Sequence, residues 1–466
     1  MKSKTAASLL ITATLLMFLT ALTGLKTYAA SLAPDPVSES NLTIQVAYVN
    51  RMPSAPGVSP NLASPVVVKG SLFLIDQNDA IYRLNRRGRV REIFNVSEAP
   101  DGLALDNRQS ILNISPGRRD RIFVMFTSGS EPTTDIPLFR LPDPLPGDCC
   151  DIDSPVHVPD LYRVGTNPNV IYKTRTEYQV LYEYRLSRNG LRQPRAIVAF
   201  ETQSGTAHGS GGMTTMPDGR VLFATGDALP FGTDGRNAPQ VVSEHVGKLL
   251  LINPADGSIE VAGQGLRNVQ KLELTTSFGQ LNLGFADIGG VTAEEINFVS
   301  AADILDSSQI ENFGWGRSLD GLAREGTFYI GPGTPFVLVT EPPAVGEAPS
   351  PESGYIQPHA QFGRVLPGDT MAVSGPVTSQ ESFTSITALF GDLVSGLVYA
   401  TTAPRSETDA EVFAVNLVDE DGNAVASLND LAGGRADPRF FRFPDGSAGV
   451  LLEATGELFR LVEVSQ

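Results

Sequence analysis

The chain has 466 residues, 45 glycines, 33 prolines and a formal net charge of −17. Such an acidic excess argues against a nucleic-acid partner, which would need clustered cations, and against an anionic membrane surface. The glycine and proline content indicates short strands joined by turns rather than helical bundles. The composition therefore predicts an all-β protein, long enough for a large repeated architecture.

Residues 1–30 have the composition of a targeting segment. Two lysines precede an apolar run over about residues 6 to 25, and Ala29 and Ala30 provide small side chains for a cleavage site. The run is also long enough to remain as an N-terminal anchor, so a cleaved signal peptide and an uncleaved anchor both stay open. In either case we expect an exported protein, periplasmic or secreted, with no membrane contact beyond this segment.

Two stretches lie outside the regular pattern of the chain. Residues 31–62 are rich in proline and serine, contain one strand-like patch at residues 42–49, and are expected to form a flexible leader before one folded domain at 63–466. A long loop over about residues 128 to 176 contains the only two cysteines, Cys149 and Cys150. Adjacent cysteines can form only a strained disulfide that closes no useful loop, so we interpret the pair as local bracing rather than a scaffold or a metal site.

Short apolar runs separated by turns begin at Val66 and continue to the end of the chain. Residues 331 to 376 are rich in proline and glycine and are predicted to be loops, and the one helical segment expected is a short turn near 301–308. We predict strands at residues 66–75, 80–84, 89–94, 121–126, 178–186, 195–200, 221–225, 247–252, 281–287, 388–390, 396–401, 411–415, 440–443, 449–453 and 457–462.

An Asp-Gly turn before a short apolar run recurs along the chain, with its glycine at Gly219, Gly257, Gly422 and Gly446. Repeated hairpins of this kind over roughly 400 residues indicate radially repeated four-stranded sheets, as in a β-propeller. We therefore predict an all-β propeller in which the terminal strand at 457–462 pairs with an early strand to close the ring.

The stretch from His208 to Asp227 combines a histidine followed by glycines, an Asp-Gly turn, a short apolar strand and a final aspartate. The strand would bring Asp227 to the same end of the sheet as His208, where a carboxylate could orient an imidazole that acts as a base. The alternative is structural, with His208 capping a turn and Asp227 beginning a loop. Spacing alone does not separate the two.

Several motifs occur in the order in which one known family carries them. They are Ile111-Leu-Asn-Ile-Ser-Pro with the strand after it, His208 to Asp227, Gly247-Lys-Leu-Leu-Leu-Ile-Asn-Pro254, Gly265-Leu-Arg-Asn268, Asp287-Ile-Gly-Gly290 with Glu294-Glu-Ile-Asn297, Asn312-Phe-Gly-Trp-Gly316 and Phe390-Gly-Asp-Leu-Val-Ser-Gly396. On these motifs the chain resembles the glucose/sorbosone dehydrogenases, and the last motif resembles the hedgehog-interacting-protein-like members. The resemblance implies a six-bladed propeller of four-stranded antiparallel blades that uses pyrroloquinoline quinone (PQQ) and calcium (Ca2+).

The resemblance also implies roles for individual residues. His208 would be the general base that removes a hydroxyl proton from the sugar, and Asp227 would orient its imidazole. Arg267 and Asn268 would contact oxygens of PQQ, where a guanidinium stabilises developing negative charge. Arg439 lies near the position of a further cofactor-binding arginine.

Calcium would be held in part by the backbone carbonyls of Gly289 and Gly290, because calcium prefers oxygen ligands and glycine permits close approach. Two departures from the family bear on the cofactor. Gly212 stands where related enzymes commonly carry arginine or glutamine. No lysine follows Lys271, although such enzymes often use a late lysine on the quinone carboxylates.

The function implied by the resemblance is that of an exported oxidoreductase, which oxidises a sugar or other alcohol with bound PQQ and calcium and passes electrons to an unknown acceptor. Two alternatives stay open. A non-catalytic propeller that binds carbohydrate or protein would accommodate Gly212 and the missing lysine. A metal-dependent propeller hydrolase would need several acids that converge on the central axis.

Further residues have structural interpretations from the sequence. Arg267 and Asn268 also fit a structural turn. Trp315, the only tryptophan, is interpreted as a packed wedge between blades, and Glu295 as a hydrogen-bond acceptor for loop backbone. Two further histidines, His245 and His359, have no ligand-like spacing and are interpreted as ordinary surface or loop residues.

Overall fold

Six sheets of mostly antiparallel strands form a six-bladed β-propeller, which confirms the predicted fold class. Each blade is built largely from consecutive hairpins. The computed structural model describes residues 37–53, 61–85, 87–105, 110–133, 135–141, 176–203, 210–227, 238–289, 293–306, 308–317, 322–325, 328–332, 355–363, 372–402 and 410–464.

The first strand of the described residues is β1 (Thr43–Arg51), which belongs to the last blade. Blade 1 consists of β2 (Val66–Val68), β3 (Ser71–Asp76), β4 (Ala80–Leu84) and β5 (Val90–Asn95). Blade 2 consists of β6 (Ile111–Pro116), β7 (Arg121–Ser128), β8 (Leu138–Phe139), β9 (Thr176–Ser187) and β10 (Gly190–Gln203). Blade 3 consists of β11 (Ser210–Thr215), β12 (Val221–Thr225), β13 (Lys248–Ile252) and β14 (Ile259–Gln264), with the short β18 (Glu311–Asn312) at its edge.

The remaining blades follow in the same way. Blade 4 consists of β15 (Glu273–Ser277), β16 (Gln280–Asp287), β17 (Ala293–Ser300) and β22 (Ala360–Gly363). A separate small sheet contains β19 (Gly316–Arg317), β20 (Leu322–Glu325) and β21 (Phe328–Pro332). Blade 5 consists of β23 (Val373–Val377), β24 (Ile386–Asp392), β25 (Val398–Thr402) and β26 (Val412–Ala414). Blade 6 combines β29 (Pro438–Arg442), β30 (Ala448–Leu452) and β31 (Glu457–Glu463) with β1 and the hairpin of β27 (Asn416–Val418) and β28 (Ala424–Val425). Two short helices are α1 (Ala301–Leu305) and α2 (Leu428–Ala432).

The ring is closed by β1, which lies between β31 and β27 in blade 6. It pairs antiparallel with β31, with Ile44 opposite Glu463, and parallel with β27. The predicted pairing of the terminal strand with an early strand is therefore confirmed. That early strand comes from residues 31–62, which the sequence predicted to be a flexible leader. The alternating side chains of Ile44 and Val46 are buried in the core of blade 6, and this burial holds the segment in the sheet.

Two other regions differ from the sequence-based expectation. Residues 331 to 376, predicted to be loops, contain β22 and most of β23, because glycine and proline hide the alternation of such short strands. Helix α2 is absent from the sequence prediction and ends at Gly433, which has a left-handed φ of 69°. The helical turn predicted near 301–308 is confirmed by α1. Among the described residues, no helix is both long and apolar enough to cross a membrane.

The hydrophobic core is divided among the spaces between neighbouring blades. Between blades 3 and 4, side chains of β13, β16 and β17 pack around Phe285 and Phe313, whose rings meet edge to face at 5.1 Å. At one end of this interface lie the β12–β13, β14–β15 and β16–β17 connections. These connections carry Asp227, Arg267 and Gly289, all predicted to be functional, so the core of this interface positions the candidate site.

Candidate active site

Asp227 follows β12 in the connection to β13. Its side chain is completely buried, and its backbone N–H donates to the carbonyl oxygen of Arg267 at 2.9 Å. The N–H of Gly247 donates to the carbonyl oxygen of Gly226, also at 2.9 Å, so the two ends of the connection are tied together. Asp227 and Arg267 are 40 residues apart in the sequence and are direct neighbours in the structure.

Arg267 and Asn268 lie between β14 and β15, where the carboxylate of Asp287 holds their backbone. The N–H of Arg267 lies 3.2 and 3.0 Å from the two carboxylate oxygens, and the N–H of Asn268 donates to Oδ1 at 2.7 Å. Asp287 is the last residue of β16, so a strand end of blade 4 fixes the loop that leaves blade 3. Sequence reasoning gave Asp287 no role. An aspartate at a strand end directly before a glycine loop is the signal that could have identified it.

Burial raises the pKa of Asp287 to about 6, and the nearby negative charge of Asp227 acts in the same direction. The N–H groups of Asn268 and Arg267 and the positive charge of Arg267 oppose this rise. The Asp227 carboxylate is therefore close enough to act on the ionisation of Asp287 inside a poorly solvated site. A buried carboxyl group with a raised pKa and a charged neighbour is typical of functional sites.

Trp315 lies against both Asp227 and Arg267. Its indole Nε1–H donates to Oδ2 of Asp227 at 3.1 Å, and the Cζ atom of Arg267 is 5.2 Å from the ring centroid. The backbone of Trp315 donates to Gly265 at 2.9 Å and accepts from the side chain of Gln240 at 2.8 Å. Trp315 is thus a buried wedge, in agreement with its interpretation from the sequence. It also donates directly to Asp227, the residue expected to orient the catalytic imidazole.

The guanidinium of Arg267 reaches the loop that was predicted to hold calcium. Its Nη1 donates to the carbonyl oxygen of Ile288 at 2.8 Å. Within the described part of the chain, this is the one hydrogen bond that the Arg267 side chain makes. A half-buried guanidinium has five N–H donors in a planar fork, so the remaining donors can bind an oxygen atom of a ligand.

Glu294 supports the same loop from blade 4. Its side chain is completely buried, and Oε2 accepts from the N–H of Gly289 at 3.1 Å and of Val373 at 3.2 Å. From the sequence we interpreted Glu295 as an acceptor of hydrogen bonds from loop backbone. The structure shows this role for the preceding residue, Glu294, and Glu295 is buried as well. Carboxylate and carbonyl oxygens are the donors that calcium prefers, so the groups present fit a calcium ion that also takes ligand oxygens. Among the described residues, no three His, Cys, Asp or Glu side chains could hold a metal by themselves.

Lys248 anchors the connection between β12 and β13 from inside the protein. Its completely buried ammonium donates to the carbonyl oxygens of Ala238, Pro239 and Val246 at 2.8, 3.0 and 2.7 Å. Burial lowers the pKa of Lys248 to about 7. The anchored connection also contains Gln240, which bonds Trp315, so Lys248 supports the candidate site indirectly.

The two histidines that were interpreted as surface or loop residues are both buried. His245 Nε2 lies 3.0 Å from the carbonyl oxygen of Glu201, and burial lowers the pKa of its imidazole. His359 packs against the rings of Phe278 and Phe298 at centroid distances of 5.3 and 5.1 Å. Both residues lie in connections between strands, as the loop interpretation held, and their burial shows that the surface interpretation is wrong.

Arg439 lies on β29 and reaches the segment that follows Asn268. Its Nη1 donates to the side-chain oxygen of Gln270 at 2.9 Å, its Nε donates to the carbonyl oxygen of Leu62 at 3.1 Å, and its Nη2 bonds the carboxylate of Glu453 at 2.5 Å. Arg439 is therefore connected to the candidate site, but three of its nitrogens already bond protein groups.

Gly212 and the last lysine of the chain, Lys271, both contact this same segment or belong to it. The N–H of Gly212 donates to the carbonyl oxygen of Val269 at 3.0 Å, and a Cβ added to Gly212 would lie 3.0 Å from the same oxygen. A longer side chain would therefore have to displace the segment. Lys271 bonds Glu273 and, at 2.7 Å, the carbonyl oxygen of Pro376, and burial lowers its pKa.

Four residues singled out from the sequence lie outside the described residues: His208, Gly290, Cys149 and Cys150. The base, the second calcium carbonyl and the bracing of the long loop therefore stay predictions. Of the other candidates, the structure brings Asp227, Arg267, Asn268 and Gly289 to one end of the interface between blades 3 and 4.

The architecture is similar to that of solved sugar dehydrogenase propellers. An oxidoreductase described as a glucose dehydrogenase, from Thermus thermophilus, has a TM-score of 0.53 and 14% identity, covering 90% of this chain and 100% of that chain. The PQQ-bound aldose sugar dehydrogenase of Streptomyces coelicolor has a TM-score of 0.52 and 17% identity, covering 93% of this chain and 100% of that chain. A further glucose dehydrogenase has a TM-score of 0.52 and 16% identity, covering 89% of this chain and 99% of that chain.

These similarities support the fold expected from the family resemblance. No protein-family profile and no curated protein sequence matches the chain. At identities of 14% to 17%, the similarity establishes the propeller fold, and the activity has to be argued from the residues of the site.

Proposed function

We propose that this protein is an exported oxidoreductase that oxidises a sugar or other alcohol with bound PQQ and calcium. The observation that carries the proposal is the convergence of Asp227, Trp315 and Arg267, with guanidinium donors still available for a ligand oxygen. The names of the similar propellers, glucose dehydrogenase and aldose sugar dehydrogenase, support the substrate class.

The groups present suit a flat ligand with several oxygen atoms. Arg267 would donate to a quinone oxygen, Asn268 is buried next to it, and the loop at Gly289 would provide a carbonyl ligand for calcium. The chemistry supplied by the bound cofactors would be acceptance of a hydride by the quinone, with calcium polarising the quinone carbonyl groups.

The residues of the chain would then control one proton and one orientation. His208 would take the proton of the substrate hydroxyl, and Asp227 would hold the imidazole in the correct tautomer. Asp287 would keep Arg267 and Asn268 in place through their backbone N–H groups. Burial of the two carboxylates strengthens each of these interactions, because little water is present to screen them.

The proposal is tested by loading purified protein with PQQ and calcium and measuring dye reduction with a panel of aldoses and simple alcohols. We expect substrate-dependent reduction, and we expect His208→Ala to abolish it while retaining quinone uptake measured by equilibrium dialysis. Absence of quinone uptake by the wild-type protein would contradict the proposal.

A binding propeller without the cofactor is the second candidate. It is favoured by Arg439, which already bonds Gln270, Leu62 and Glu453, and by the tight packing of Gly212. The quinone-uptake experiment distinguishes the two candidate functions. A binding propeller should take up no quinone and should instead retain a glycan or protein ligand.

A further inference from the structure

Trp315 joins the two sides of the proposed site through contacts that packing alone does not require. The edge of its indole donates a hydrogen bond to Asp227 Oδ2 at 3.1 Å, and its face lies 5.2 Å from Cζ of Arg267. The ring is 2% exposed, and Gly265 and Gln240 hold its backbone from two different connections. The indole therefore has a fixed orientation relative to both charged groups.

We propose that Trp315 is a positioning residue that orients the Asp227 carboxylate by donating to its Oδ2 atom and couples that carboxylate to Arg267. This inference rests on the proposed function. An N–H donor stabilises a charged carboxylate and so makes it less basic, and the effect is stronger where water is scarce. By fixing Oδ2, the indole also sets the direction in which Oδ1 points.

The consequence for catalysis follows from the role proposed for Asp227. A less basic carboxylate stabilises the protonated imidazole of His208 less, so the base stays neutral down to a lower pH. Asp287 also lies close to Asp227, but it is the same residue in every protein compared. Removing the indole N–H should therefore move the acid limb of the pH–rate profile to higher pH. Strengthening the N–H as a donor should move the limb to lower pH.

The chain contains one tryptophan, so this donor can be altered without a mutation. Biosynthetic replacement of tryptophan by 5-fluorotryptophan changes Trp315 alone and makes its N–H a stronger donor at nearly unchanged size. Trp315→Phe keeps a flat ring near Arg267 and removes the N–H. We expect the acid limb of kcat to shift down in the fluorinated protein and up, by about one pH unit, in Trp315→Phe. We also expect kcat of Trp315→Phe to fall about 10-fold with KM changed less than about 2-fold.

A matched control separates positioning from packing. Phe313 is buried two residues away, contacts Phe285 and makes no hydrogen bond to Asp227 through its ring. Phe313→Leu should lower stability while leaving the pH profile unshifted. In protein without cofactor, the single indole N–H resonance of 15N-labelled Trp315 should move on substitution of Asp227 by Asn.

The outcomes distinguish this inference from the proposed function. If the wild-type protein takes up no PQQ, the proposed function fails and the inference fails with it, even if the indole resonance responds to Asp227→Asn. If the wild-type protein reduces dye and the fluorinated protein and Trp315→Phe keep the wild-type acid limb, the inference alone is overturned. Opposite shifts in the two proteins, with no shift in Phe313→Leu, would support it, and the fluorinated protein decides the matter if Trp315→Phe does not fold.

Discussion

The ionisation of Asp287 gives the sharpest test of the geometry of the site, because it needs no cofactor. The folded protein raises the pKa of Asp287 from 3.8 to about 6. At about 1.36 kcal/mol per pKa unit, this rise corresponds to about 3 kcal/mol of unfavourable burial of the charged form. At pH values between the unfolded and the folded pKa of Asp287, the folded state binds more protons than the unfolded state. The contribution to stability is therefore present below about pH 4 and is lost as the pH rises through 6.

We expect Asp287→Asn to remove this dependence, because an amide stays neutral and can still accept from the N–H groups of Arg267 and Asn268. The free energy of unfolding of the variant, relative to the wild-type protein, should rise by about 3 kcal/mol between pH 4 and pH 7. Urea unfolding followed by circular dichroism at several pH values measures this difference, in which groups common to both proteins cancel.

Two further variants make the experiment specific to this site. Asp227→Asn removes the like charge near Asp287, so the midpoint of the pH dependence should move to lower pH. Asp256 is a control of opposite sign, because hydrogen bonds from the backbone and side chain of Ser258 lower its pKa. Asp256→Asn should therefore lose stability, relative to the wild-type protein, only as the pH rises to about 4, and its relative stability should stay constant from pH 4 to pH 7. A relative stability of Asp287→Asn that stays constant from pH 4 to pH 7 would refute the reasoning.

Three further substitutions test the other parts of the site. Arg267→Lys keeps the charge but loses the planar fork and the contact with Trp315, so PQQ affinity measured by equilibrium dialysis should fall about 10- to 100-fold. Between pH 7 and about 10, Lys248 is neutral in the folded protein and still charged in the unfolded chain, so the wild-type protein should gain at most about 5 kcal/mol of stability over this range. Lys248→Met should lack this gain when its free energy of unfolding is measured in urea. Gly212→Gln should lower the free energy of unfolding by about 1–3 kcal/mol, because its Cβ would lie 3.0 Å from a backbone oxygen, whereas Gly434→Ala, which faces open space, should change it little.

The fold could be predicted from the sequence because its signals are local. Each Asp-Gly turn lies where it was expected, and Gly219, Gly257, Gly422 and Gly446 all have positive φ between 75° and 94°. The strand-like patch at residues 42–49 was assigned to the leader because the strands that pair with β1, β31 and β27, lie about 400 residues later. Local composition contains no information about a partner at that distance.

The candidate site was only partly predictable for a related reason. Motif order identified Asp227, Arg267 and Asn268, which are positioned by the ends of neighbouring strands. The contributions of Asp287 and Trp315 depend on contacts across connections, such as the indole bond to Asp227 between residues 88 positions apart. A lone tryptophan gives no sequence signal that distinguishes a wedge from a positioning residue.

The division between scaffold and site also explains why fold similarity leaves two functions in competition. The core between blades 3 and 4, around Phe285 and Phe313, contains no group assigned to the chemistry. The chemical groups lie instead on the connections that leave this core, where Asp287 and Lys248 fix the backbone by hydrogen bonds to N–H and C=O groups. Such connections could lose a cofactor contact without weakening the blades. Uptake of PQQ by the wild-type protein therefore separates a dehydrogenase from a binding propeller more directly than any further comparison of the fold.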